Sequence, residues 1–315
     1  MKALVYAGDR TVEISNVELA FDENTDVLVD VLRTGICGTD VGAVAHGRPK
    51  LPHGVVLGHE FVGRRTDTGA LVVGNPIVSC RSCSVCQSGM THLCAKRQVL
   101  GVHRQGAFAP RVAVPAGNLV EVEHLTHAQA ALVDPLATAL HAWRLVRRSC
   151  QRVAVIGAGA IGLCAVAILK ADGVEEIFAS DVVPERREFA QRLGATAVGL
   201  SPEGEFDAVI DAVGTEETRR IAASILRPGG VAVLVGLHAA ELVLAAGPLI
   251  GGERTIQGSF AYTEAEFIEA SRMASMLDTS WVREIAFGAA ADTLNAMVAG
   301  QLGTGNIKVH VCIGE

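Results

Sequence analysis

Apolar positions recur along this chain in two different rhythms. In DVLVDVL, Val27, Val29 and Val31 fall on every second position, which predicts a strand with one buried face. MKALVYAGDR reads as an opening strand, because Asp9 and Arg10 interrupt it before the apolar core of a signal peptide could form. Another apolar run ends at His59 and Glu60 in VVLGHE. From RVAVI, residues 152–156, the rhythm changes to solid apolar runs. That strand enters GAGAIG and an apolar helix over 158–169 that stops at Lys170, and IFASD closes a second strand at Asp181. Strand, helix, strand in this order is a βαβ unit. Further strands at AVIDAV and VAVLVG, separated by a helix over 216–226, predict an α/β fold with a doubly wound parallel sheet.

Composition bounds what such a chain can do. With 315 residues, 50% hydrophobic and 19% charged, it can bury a large core and should form two domains. The apolar helix over 158–169 is too short to span a bilayer. A net charge of −7 without clustered Lys and Arg argues against nucleic acid and against an anionic membrane surface. The expected partner is a small molecule and the expected compartment the cytosol.

In a reducing compartment, eight cysteines point to metal rather than to disulfides. SCRSCSVCQSGMTHLC places Cys80, Cys83, Cys86 and Cys94 on one loop, four soft ligands that would fill a tetrahedral zinc shell. A full shell leaves no open position, so this site is expected to be structural. Cys150, Cys164 and Cys312 lack partners at metal spacing and read as ordinary thiols, and His141 as a residue packed in its helix. Gly157, Gly159 and Gly162, with Ile161 between the last two, follow the glycine pattern of a dinucleotide-binding turn, and Asp181 ends the next strand where an acidic residue binds the ribose. NAD is the expected cofactor.

Taken in order, GICGTD, GHE, the four-cysteine loop, DPLATALHAW, GAGAIG and a final KV-containing strand resemble the zinc-dependent medium-chain alcohol dehydrogenases, nearest the polyol, threonine and butanediol branch. The resemblance implies a GroES-like β-barrel catalytic domain over 1–143, completed by a C-terminal return over 263–315, and a Rossmann cofactor domain over 144–262. It implies two zinc ions. Cys37 and His59 match ligands of a catalytic zinc, and Asp134 stands where the branch usually carries glutamate. Aspartate is one methylene shorter, so Glu60 is an alternative ligand; Asp134 before Pro135 also reads as a helix cap. Thr39 matches the hydroxyl that relays the alcohol's proton, Asp40 a carboxylate that orients His59, and His46 is the nearest candidate for the outer end of the relay. Ala261 in GSFAYT stands where polyol dehydrogenases carry arginine.

The implied activity is hydride transfer between a secondary alcohol or its ketone and NAD. Two alternatives share the scaffold: reduction of activated C=C or C=N bonds, and NAD binding without catalysis. A homodimer or homotetramer is expected, joined through the outer Rossmann strand over 255–261.

Overall fold

The computed structural model describes residues 1–47, 49–146, 149–301 and 307–314. The chain divides into two compact units, Met1–Asp134 with Thr263–Glu315, and Pro135–Tyr262. The first division falls short of the expected boundary near Trp143 because Trp143 lies inside one continuous helix, Val133–Arg144. A helix does not break where its hydrogen-bond ladder runs unbroken, so nearly all of it belongs with the second unit. The second division comes at Thr263, which caps the helix Glu264–Met273.

The first unit opens with the hairpin Lys2–Gly8 and Thr11–Asn16. Its main sheet runs Val282–Ala286, Lys308–Cys312, Asp26–Ile36, Glu60–Arg65, Leu71–Gly74 and Leu119–Glu121, and Arg111–Pro115 pairs with the first half of the long Asp26–Ile36 strand. All these pairings are antiparallel except that of Val282–Ala286 with Lys308–Cys312. The alternation in DVLVDVL becomes a core face here, since Val29 and Val31 pack with Phe61, Val72, Val112 and Val114. On the last strand Val309 and Val311 join a second cluster with Ile36, Val44, Leu57 and Phe108. Each such side chain contributes about 1.5–3 kcal/mol on burial, which explains why the C-terminal tail returns to close this sheet.

The second unit holds a six-stranded parallel sheet in the order Ala197–Gly199, Glu176–Ser180, Arg152–Ile156, Phe206–Asp211, Leu226–Leu234 and Thr255–Gly258. This is the doubly wound α/β arrangement. Val153, Ala154, Val155 and Ile156 are all buried, as a strand covered on both faces requires. The first glycine helix runs Ala160–Ala171. The helix expected over 216–226 stops at Ser224, because Leu226 already pairs with Phe206. The outer strand stops at Gly258 rather than 261, where Ala261 takes a left-handed φ of 48° that no strand accommodates. No helix among the described residues is long and apolar enough to cross a membrane.

Candidate functional site

The long strand of the first unit ends at Ile36, and the chain turns through Cys37 into the helix Gly38–His46. Cys37 occupies the cap position. Its Sγ accepts the Thr39 N–H at 3.4 Å, and the Asp40 carboxylate accepts the Cys37 N–H at 2.9 Å, a reciprocal capping box. The second oxygen of Asp40 lies 3.5 Å from His59 Nδ1, within reach of charge attraction but long for a hydrogen bond. Asp40 therefore closes the cap and faces the imidazole with one buried carboxylate. Burial alone would push the His59 pKa down, but Asp40 and Cys37 outweigh it and hold the imidazole well above its ordinary range. The buried Asp40 carboxylate favours positive charge beside it, and a bound metal would supply the same. Thr39 is exposed in the same turn, and His46 ends the helix.

Ligand atoms of Cys37, His59 and Glu60 lie within 4.8 Å of one another. Asp134 is not among this group; it lies in the first turn of Val133–Arg144, so it is not that helix's cap either. Glu60 begins its strand opposite Gly35 and forms a buried ion pair with Lys308. A Cβ on Gly35 would stand 2.4 Å from Glu60 Oε2 and 2.8 Å from Lys308 Cε, so only glycine leaves room for this pair. Burial would push the Lys308 ammonium toward its neutral form, but Glu60, Cys37 and Asp134 hold its pKa above the ordinary value. Sequence reasoning used the final KV strand only as a landmark and missed Lys308. The signal was a lysine at the head of KVHVC, alternating with two core valines.

The four-cysteine loop meets a geometric test. A tetrahedron with Zn–S of about 2.3 Å has S···S edges of about 3.8 Å. The observed edges are 3.5 Å for Cys83–Cys86 and Cys94–Cys80, and 3.9 Å for Cys80–Cys86 and Cys83–Cys94. Backbone N–H groups of Ser82 and Cys83 lower the Cys80 thiol to about 5, while burial raises Cys86 to about 11. Between residues 79 and 97 only Cys86, His92 and Cys94 are buried. So small an apolar core cannot order the loop, and four converging sulfurs indicate a metal as its organiser.

In the second unit the chain turns at Gly157, whose φ is 92°. A Cβ on Gly162 would fall 1.8 Å from the Gly157 carbonyl oxygen, so helix and turn pack in direct contact. The Ala160–Ala171 helix starts at Gly159 without a side-chain cap, and a Cβ on Gly159 would meet nothing within 4 Å. A helix N-terminus without a side-chain cap, with room beside its first glycine, fits a phosphate. Ile161 lies in the helix's first turn. Asp181 accepts the N–H of Ala158 and of Val183, each at 2.9 Å, and Arg186 stands 3.7 Å from Oδ2. Each carboxylate oxygen keeps a lone pair for a ribose hydroxyl.

Comparison with known proteins agrees with both units. Residues 23–124 match the alcohol dehydrogenase GroES-like domain, and residues 160–276 match the zinc-binding dehydrogenase domain. The L-galactonate-5-dehydrogenase of Escherichia coli strain K12 is 34% identical over 283 residues, 81% of this chain and 82% of its own. The L-threonine 3-dehydrogenase of Streptomyces avermitilis is 34% identical over 265 residues, covering 75% and 76%. Among solved structures, a zinc-binding dehydrogenase of Sinorhizobium meliloti 1021 bound to NADP superposes with a TM-score of 0.91 at 27% identity, covering 99% of this chain and 98% of that one. The chain belongs to the zinc-dependent medium-chain alcohol dehydrogenase family.

Proposed function

We propose that this protein transfers a hydride between a secondary alcohol, or the corresponding ketone, and NAD. The observation that carries the reading is the grouping of Cys37, His59 and Glu60 donor atoms within 4.8 Å. Cys37 and His59 would hold a catalytic zinc, with Glu60 or Asp134 as third protein ligand, and the four-cysteine loop a structural one. At the first site zinc supplies Lewis-acid chemistry to the alcohol oxygen. Thr39 takes the alcohol's proton at Oγ and passes it outward, and Asp40 keeps the His59 ring oriented.

The turn at Gly157, Gly159 and Gly162 receives the pyrophosphate, with Ile161 beside it, and Asp181 receives the ribose hydroxyls. Its charge repels a 2′-phosphate, which favours NAD, whereas the Sinorhizobium meliloti relative holds NADP. The substrate is a small alcohol held without a guanidinium at position 261. Two or four copies of the chain assemble, in the cytoplasm, through the Thr255–Gly258 edge strand.

The test is NADH absorbance over a panel of secondary alcohols, polyols and hydroxy acids. Thr39→Ala should lower turnover ~10²-fold or more, the worth of a positioned proton-transfer group, and Thr39→Ser should retain most of it. Absence of NAD reduction with every alcohol, or a Thr39→Ala variant as fast as its parent, refutes the reading.

A further inference from the structure

His310 is a polar residue where the fold asks for none. It sits mid-strand in Lys308–Cys312, between the core residues Val309 and Val311, and is 0% exposed. Neither ring nitrogen has a hydrogen-bond partner among the described residues. Burial first, then the charges of Lys308 and Arg33, hold its pKa well below the ordinary value, so the ring is neutral, with one donor and one acceptor nitrogen. Leaving both unmade at this depth costs each group its hydration with nothing in return. An apolar residue would avoid that cost.

The sheet register shows what lies around the ring. His310 pairs with Gly35 on one side and with Glu284 on the other, and Gly35 pairs in turn with Glu60. Paired residues project on the same face, so Glu60, Gly35, His310 and Glu284 form one row across four strands, with glycine the only gap. Lys308 is two residues from His310 and therefore on that face as well. Its ammonium carries three N–H donors, and Glu60 is the hydrogen-bond partner of one. A buried ammonium short of acceptors and a buried imidazole with a spare acceptor thus lie side by side. At the outer end of the row Glu284, whose side chain is 50% exposed, binds Arg33 at 2.5 Å.

We propose that His310 is a positioning residue that holds Lys308, and through it Glu60, by ordered water on its ring nitrogens. One water bridges the acceptor nitrogen to the Lys308 ammonium; a second takes the ring N–H toward Glu284. Such a water satisfies several otherwise unmade groups at once, which is the usual condition for buried water. The ammonium is then shared between Glu60 and the hydrated ring instead of being drawn wholly onto the carboxylate, and this fixes where Glu60 stands beside Cys37 and His59. The effect on turnover rests on the function proposed above; the hydration does not.

A high-resolution crystal structure of the parent protein decides the hydration. Water within about 2.7–3.2 Å of each His310 ring nitrogen, one also within reach of Lys308 Nζ, is expected. Ring nitrogens bonded directly to protein groups, or no water at either, overturn the proposal. His310→Leu should then lower kcat about tenfold with KM for NAD nearly unchanged, while His310→Gln, which keeps a donor and an acceptor, should retain most of kcat. A purely structural role would shift melting temperature in both variants and leave kcat alone, and that result would also overturn it. A parent protein that oxidises no alcohol would refute the proposed function and leave the crystallographic result to decide the hydration by itself.

Discussion

Lys308→Met tests the buried electrostatics of the first unit most directly. Methionine keeps the length and apolar stem of lysine but leaves Glu60, whose side chain is 2% exposed, without its counter-charge. Removing one partner of a buried pair typically costs about 3–5 kcal/mol, whereas replacing both with neutral groups of similar volume is often close to neutral. At roughly 2–4 °C per kcal/mol for a body of this size, the single variant should melt about 6–20 °C below the parent. Glu60→Gln combined with Lys308→Met should recover most of that loss. Zinc at Cys37 and His59 would offer Glu60 another positive charge, so the deficit relative to the parent should be smaller in zinc than in chelator. Thermal denaturation followed by circular dichroism, on parent, both single variants and the double variant, closes the cycle. A single variant that loses less than about 1 kcal/mol, the scale of an exposed pair, would refute the reasoning, as would a double variant as unstable as the sum of the singles.

Three further outcomes are expected. Cys83→Ser should reduce metal analysis from two zinc ions per chain to one and lower melting temperature more than turnover, since its sulfur is one of four holding a loop with little core. If Asp181 receives the ribose as proposed, Asp181→Ala should relax the preference for NAD over NADP in kcat/KM, because it removes a charge that would repel the 2′-phosphate and leaves Arg186 in place. Stability of the zinc-loaded protein should fall below about pH 6.5, where the unfolded chain protonates His310 and the folded chain, with the ring buried and Lys308 and Arg33 nearby, does not. The slope from this group approaches 1.4 kcal/mol per pH unit, and His310→Leu should flatten it in pH-dependent urea denaturation.

How much of this could be read from the chain depends on how far apart the cooperating residues lie. The glycine turn was legible because Gly157, Gly159, Gly162 and the strands around them are local, and Gly157 and Gly162 answer steric demands of their neighbours. The cysteine loop was legible for the same reason, since a metal shell from one loop imposes a spacing that chance seldom meets. The capping box was not legible: in the structure the cap is the sulfur of Cys37, which the chain offered only as a metal ligand, and Asp40 answers it. Element ends were misjudged where backbone conformation decided them, as at Ala261.

What the chain did not disclose is the part of the first unit that its tail completes. Glu60 and Lys308 are 248 residues apart, and nothing local to GHE or to KVHVC announces that one strand lies two places from the other in the same sheet. The tail strand carries an apolar face and a polar face. Val309 and Val311 account for why it docks, through the core they enter. Lys308 and His310 point the other way, toward Glu60 and the groups beside it. Docking alone would be served as well by valine or leucine at both positions, without a buried ion pair or an imidazole lacking partners among the described residues. That two titratable groups persist there, at a cost in stability, is what distinguishes a strand that merely closes the sheet from one that also sets the charge around Cys37 and His59.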